Sequence, residues 1–251
     1  MLGNVVTGKN LEICLNSDNL LTLPINLNSA FIAGANRVEL CSSMHLDGLS
    51  PDSTAIKLCA QQIPAHGELL VMIRPVANTF VANNKILNKM IREITRAADL
   101  GATGVVFGAI SKSEIDINTT QKLVLCAQKN GLKTTFHRAF DCINDKQQAI
   151  KQLIDLGIDR VLTNGNHWNA NQPILHNLYQ LEQLIEEAQN QIEIVIGGGV
   201  TTKSAGKLWQ LADGNLVSLH THSGVLNNKG YINPLLISEI LDTTEKQALN
   251  D

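Results

Sequence analysis

The chain has 251 residues, 44% of them hydrophobic, and a formal net charge of −3. That balance leaves no basic stripe for nucleic acid, no apolar run reaches membrane-spanning length, and the amino-terminal Met-Leu-Gly-Asn-Val-Val-Thr-Gly-Lys lacks the regions of a secretion signal. The length suits one domain with a large core, and five cysteines, odd in number and scattered, argue for a reducing cytoplasm rather than a disulfide framework.

Strand candidates begin near Leu11, Arg37, Leu69, Gly104, Thr134, Arg160, Ile192 and Leu216, each with a helix-compatible segment behind it. Apolar residues recur at three- and four-residue steps from Lys85 to Leu100, Asn118 to Asn130 and Lys146 to Leu156. Between helix and strand one phrase returns: Ala33-Gly34-Ala35, Leu100-Gly101-Ala102, Leu156-Gly157-Ile158, with echoes at Gly131 and Gly214. It reads as a helix ending on a left-handed glycine and running straight into an apolar β-branched strand. Eight such units predict a closed TIM (β/α)₈ barrel over residues 1–242, followed by a polar tail over 243–251. An open doubly wound sheet is the rival architecture. It fits less well, because Gly197-Gly198-Gly199 follows the seventh strand instead of opening the chain as a dinucleotide fingerprint would.

The first two strands carry the same triplet, Glu12-Ile13-Cys14 and Glu39-Leu40-Cys41. Residues two apart on a strand share a face, so each strand places a carboxylate and a thiol on one side. Unpaired carboxylates are not buried against apolar helices, and that side is therefore expected to be the barrel interior, with the thiols toward the carboxyl-end mouth. Neighbouring strands lie about 4.8 Å apart, and two thiolates on one soft ion sit at most about 4.6 Å apart, so the spacing permits a metal bridged by Cys14 and Cys41. The plain alternative is two small buried hydrophobes. Arg74 closes the third strand, where it is expected to neutralise Glu12 or Glu39, or else to grip a ligand carboxylate or phosphate. Met72 shares its face, and Met44-His45 follows Cys41, so a thioether or imidazole is available to complete a metal shell.

The fifth strand runs into Phe136-His137-Arg138-Ala139-Phe140-Asp141. His137 is a candidate general base or ligand, Arg138 an anion clamp, and Asp141 a group orienting either, capping the next helix, or simply pairing with Arg138. After the seventh strand, Gly198 and Gly199 can offer amides to a phosphate, although a tight turn capped by Thr201 or Thr202 explains the glycines equally well. His220 and His222 share a face of the last strand, and reach either the mouth or an exposed loop.

These residues resemble the CutC copper homeostasis family. The likeness rests on Leu-Glu-Ile-Cys at 11 to 14, Gly-Ala-Asn-Arg-Val-Glu-Leu-Cys at 34 to 41, Met-Ile-Arg-Pro at 72 to 75, Gly-Val-Val-Phe-Gly at 104 to 108, Thr-Phe-His-Arg-Ala-Phe-Asp at 135 to 141, Asp-Arg-Val-Leu-Thr at 159 to 163 and Gly-Gly-Gly-Val at 197 to 200. It implies a TIM barrel, a cytoplasmic homo-oligomer with a dimer favoured, and an association with copper in which Cys14 and Cys41 match the suspected Cu(I) ligands. Two departures stand out. The family's glycine-rich acidic stretch after Met-Ile-Arg-Pro is here Val76-Ala77-Asn78-Thr79-Phe80, and Gly224 stands where an arginine is expected. Both weaken an anion-binding mouth and leave the cysteine pair intact.

Two functional expectations follow. One is a protein that binds copper, as Cu(I), through Cys14 and Cys41 at the mouth. The other is a TIM-barrel enzyme for a small anionic or phosphorylated metabolite, with His137, Glu12 and Glu39 as catalytic groups and Arg74, Arg138, Asp141, Gly198 and Gly199 as ligand-binding groups. Neither involves nucleic acid or a membrane, and fold alone does not choose between them.

Overall fold

The computed structural model describes residues 8–170 and 172–242, so the polar tail assigned to 243–251 lies outside the described residues. Eight parallel strands close in sequence order: β1 (Leu11–Asn16), β2 (Arg37–Cys41), β3 (Glu68–Met72), β4 (Gly104–Phe107), β5 (Lys133–Phe136), β6 (Arg160–Thr163), β7 (Glu193–Ile196) and β8 (Val217–Thr221), with β8 pairing back onto β1. The outer ring is α1 (Leu23–Ile32), α2 (Ser53–Ala60), α3 (Asn84–Asp99), α4 (Ile117–Lys129), α5 (Lys146–Asp155), α6 (Leu178–Ala188), α7 (Thr202–Gln210) and α8 (Pro234–Leu241). This is the TIM barrel the alternation predicts, and every strand starts within one residue of its expected position. A small antiparallel hairpin, Ile110–Ser111 against Glu114–Ile115, decorates the loop after β4. None of the helices in the described residues is long and apolar enough to cross a membrane.

Local chemistry sets the boundaries. Carboxylate or amide side chains accept the free amides opening α2, α3, α4 and α5: Asp52 from Ala55, Asn83 from Ile86, Asp116 from Thr119, and Asp145 from Gln148. Thr201, with Ser204, forms a capping box at α7. The five junction glycines all take positive φ, between 70° and 102°, which is what lets helix turn into strand without a linker.

Strand parity divides the molecule into two interiors. Leu11, Ile13 and Leu15, like Val38 and Leu40, face outward into the continuous apolar layer under the helices. The inner face of the barrel is charged. Arg37 is fully buried, and its Nε donates to Glu12 at 2.6 Å while Nη2 donates to Glu193 and to Ser218, each at 2.6 Å. Arg160 continues the chain, reaching Glu193 at 3.1 Å and Glu68 at 2.6 Å. Such a floor is expensive to desolvate and persists because nearly every charge has a bonded partner.

Candidate functional site

Above this floor β1 and β2 deliver their thiols to the mouth. Cys14 lies opposite Glu39 and Asn16 opposite Cys41 in the ladder, so the two cysteines start two residues out of register. Their side chains nevertheless converge, with the sulfurs 3.8 Å apart. Met44, on the loop after β2, brings its Sδ to 3.9 Å from Cys14 Sγ. These three, with Met72 against them, form a small buried sulfur-rich cluster separate from the main core.

The Met44 loop is held under strain. Ser43, Asp47 and Gly48 all sit at positive φ, of 50°, 62° and 78°. The Asp18 carboxylate accepts the Ser43 amide, and Arg74 Nη1 donates to the carbonyls of Leu46, Asp47 and Gly48 at 2.8, 3.0 and 3.0 Å. The expectation that Arg74 neutralises Glu12 or Glu39 is therefore wrong. Its guanidinium spends one nitrogen tying down the loop that carries Met44, and Arg37 is the cation that pairs with Glu12. Gly48 completes the packing: a Cβ there would stand 3.3 Å from Cys41 Sγ and 3.8 Å from Met44 Sδ.

The imidazole of His220 links floor to mouth. Its Nδ1 is 2.6 Å from Glu12 Oε1, its Nε2 3.8 Å from Glu39 Oε2, and it clusters with Cys14 and Glu39 closely enough for one ion to reach all three. His222 also reaches the mouth, its Nδ1 2.9 Å from the Cys14 carbonyl oxygen. His45, by contrast, is exposed. The network polarises the thiols. A hydrogen bond with Cys41 holds the Cys14 thiol well below its ordinary range, against burial and with help from His220 and His222. The same hydrogen bond, with burial, pushes Cys41 well up. Burial and the neighbouring Cys14 raise Glu39 well above the usual carboxylate range; its Oε2 accepts from Cys41 Sγ at 3.5 Å, and its buried Oε1 has no partner. Burial pushes Glu12 up, but Arg37 and His220 overcome it and bring the carboxyl down to about 2.

The mouth opens as a cavity of about 200 Å³. His137, Arg138, Gly198 and Gly199 line it together with the thiols, as the sequence predicts, and Trp168 from the loop after β6 joins them unannounced. Asp141 does not reach the cavity. It is fully buried behind Arg138, whose Nε donates to it at 2.8 Å, and it caps no helix. His137 Nδ1 accepts the Ala139 amide at 3.1 Å, and burial, with Arg74 nearby, lowers the ring's pKa to about 3.

These shifts have opposite pH signatures. A depressed His137 costs stability below its unfolded pKa of 6.5, where only the unfolded chain takes the proton, and that loss continues as pH falls toward about 3. For the raised His220 the sign reverses: its contribution is complete below 6.5 and is lost as pH climbs through its folded value. Thermal unfolding across pH is therefore expected to peak near neutrality. In His137→Gln the acid limb between 6.5 and 4.5 should flatten, while the steeper loss from Glu12, which lies between 4.5 and about 2, should stay. An unchanged acid limb in that variant would contradict the buried neutral imidazole.

Comparison with known proteins adds an identity to this geometry. A model of the CutC family matches residues 9–224. A family protein CutC of Pasteurella multocida is 36% identical over 226 residues, covering 88% of this chain and 82% of that protein. One from Histophilus somni is 36% identical over 208 residues, covering 80% and 78%. A solved structure from Streptococcus agalactiae, which carries the name copper homeostasis protein CutC, superposes with a TM-score of 0.74 at 32% identity, over 85% of this chain and 99% of that one. Tryptophan synthase from M. tuberculosis superposes at 0.65 with 12% identity, which speaks for the barrel alone.

Proposed function

The chain belongs to the CutC family, and on that premise we propose that it binds copper as Cu(I) at the barrel mouth, through Cys14, Cys41 and Met44. The observation that carries this reading is the sulfur spacing. Two sulfurs 3.8 Å apart, each bonded to one ion at roughly 2.3 Å, enclose an angle of about 110° at the metal. That angle is too bent for two-coordinate Cu(I) and leaves room for a third donor. Met44 Sδ stands at nearly the same distance, 3.9 Å, from Cys14. Thiolate and thioether are the ligands that select Cu(I) over harder ions.

Register argues against the rival use of a thiol pair. Offset by two residues on adjacent parallel strands, the Cα atoms of Cys14 and Cys41 lie about 8 Å apart, beyond the 7 Å or so that a disulfide tolerates. The pair fits an ion between its sulfurs better than a bond between them. Metal loading would displace the Cys41 proton, and Glu39, whose Oε2 stands 3.5 Å from Cys41 Sγ, is the group placed to accept or relay it. The enzyme reading is weaker at its centre. A general base works best with a pKa near the working pH, and His137, at about 3 with Nδ1 already occupied, is a poor one. Glu12, held near 2 between Arg37 and His220, is no better.

X-ray absorption of protein loaded anaerobically with one equivalent of Cu(I) tests the ligand set. A shell of three sulfurs is expected. In Met44→Leu one sulfur should disappear and affinity fall by about 10- to 100-fold, the scale of losing a supporting interaction at a metal. A nitrogen- or oxygen-dominated shell in the wild type would refute the proposal.

A further inference from the structure

The wall of the mouth built by the loops after β5, β6 and β7 holds a second constellation that the sulfur cluster does not use. The guanidinium of Arg138 is packed closely. It lies over the Trp168 ring, 4.7 Å from its centre, and against Gly198, where a Cβ would stand only 2.9 Å from Cζ and Nη1. Its Nε is spent on Asp141, itself buried and bonded to the Thr163 hydroxyl. Among the described residues, nothing accepts from Arg138 Nη1 or Nη2, and nothing accepts from the amides of Gly198, Gly199 or Val200, which lead into α7. Arg74 adds a second guanidinium to the same cavity; it is only 6% exposed, its Nε is buried without a partner, and it stacks on Phe80, whose ring meets Trp168 edge-on at 5.4 Å.

We propose that this wall binds the carboxylate or phosphate group of a small organic anion, with the Nη1/Nη2 edge of Arg138 and the Gly198–Val200 amides as donors. The guanidinium is immobilised before any ligand arrives, so little side-chain entropy is lost on binding. Its outer edge is the two-pronged face that matches an oxyanion, and Gly198 and Gly199, at φ of 82° and 124°, line the cavity beside it with amides from which no other described group accepts. The loops after strands seven and eight often supply a phosphate site in this fold. Here the loop after β8 offers no side chain at Gly224, where a Cβ would collide with the Val200 carbonyl oxygen, and Arg138 in the loop after β5 provides the charge instead. A cavity of about 200 Å³ limits the ligand to a small molecule. The proposal does not rest on copper, since none of these donors is a sulfur.

Trp168 reports on the site. Titration of the metal-free protein with inorganic phosphate and, separately, with malonate, at ionic strength matched with chloride, should give a saturable change in tryptophan emission that disappears in Trp168→Phe. Arg138→Gln should weaken binding by more than about tenfold in calorimetry, and Arg138→Lys, which keeps the charge but not the fork, by less. Preference for phosphate points to a phosphate ester as the ligand, preference for malonate to a carboxylate. Lys57→Gln, on the exposed face of α2 away from the cavity, should bind the anion as wild type does. No saturable response to either anion, equal affinity in Arg138→Gln, or loss of binding in Lys57→Gln would each overturn the proposal.

Discussion

Replacing Cys14 or Cys41 by serine will lower Cu(I) affinity by more than about 100-fold, since even outer partners of a metal site are worth 10- to 100-fold and these are the ligands themselves. A hydroxyl is a hard donor that ionises with difficulty, so the single remaining thiolate and Met44 cannot close the shell. The change of volume is small, and each variant should unfold within a few degrees of wild type. Cys14→Ser should be the more severe, because Cys14 is the sulfur within reach of both Cys41 and Met44, and the one whose ionisation His220 and His222 support. His137→Ala is the control. It lines the same cavity without touching the sulfurs, and copper affinity should not move. Competition against a Cu(I) chelator under reducing conditions decides the matter, and two cysteine variants with wild-type affinity would sink the copper site.

How far the sequence reaches depends on what each residue needs in order to be placed. The barrel was readable because its signals are local: a glycine that must turn left-handed, then an apolar strand, repeated around the ring. Parity alone put Glu12, Cys14, Glu39 and Cys41 inside, and all four are buried there. Parity also contained what the reading missed. Arg37 lies two residues before Glu39 on the same face, and opposite Glu12 in the ladder, so it was the nearest cation to that carboxylate. Arg74 closes the third strand at the mouth, but at that height the groups in reach are the carbonyls of a strained loop. Arg160, Glu193 and Glu68 open their strands at the inward-facing parity, where the eye takes a charged first residue as a solvated strand end. Met44 and Trp168 come from loops, whose paths no periodicity predicts. His220 was ambiguous between mouth and solvent until its bond with Glu12 fixed it.

The buried floor leads to the largest stability effect. Arg37→Ala removes the one cation that Glu12 and Glu193 share and leaves two carboxylates facing each other below His220. Breaking a buried ion pair from one side costs about 3–5 kcal/mol, because the surviving charge has lost its compensation without regaining water. For a chain of this size each kcal/mol is worth roughly 2–4 °C, so a fall in Tm of roughly 6–20 °C is expected. The damage should reach the mouth. Without Arg37, burial is free to raise Glu12 from its low value, a neutral Glu12 no longer favours the protonated His220, and Cys14 loses part of what holds it ionised. Cu(I) affinity at pH 7 should therefore fall in Arg37→Ala, and recover as pH rises and Cys14 ionises unaided. The combination Arg37→Met, Glu12→Leu, Glu193→Leu separates charge from packing. It should regain part of the stability lost in Arg37→Ala, because apolar replacement of paired buried charges is often neutral or better, although Arg160 loses Glu193 and keeps only Glu68. It should not regain copper affinity at pH 7, because His220 has still lost Glu12. Arg37→Ala melting within a degree or two of wild type would mean the floor is not the compensated network its distances describe. Full copper affinity in the triple variant would detach the floor from the thiols above it.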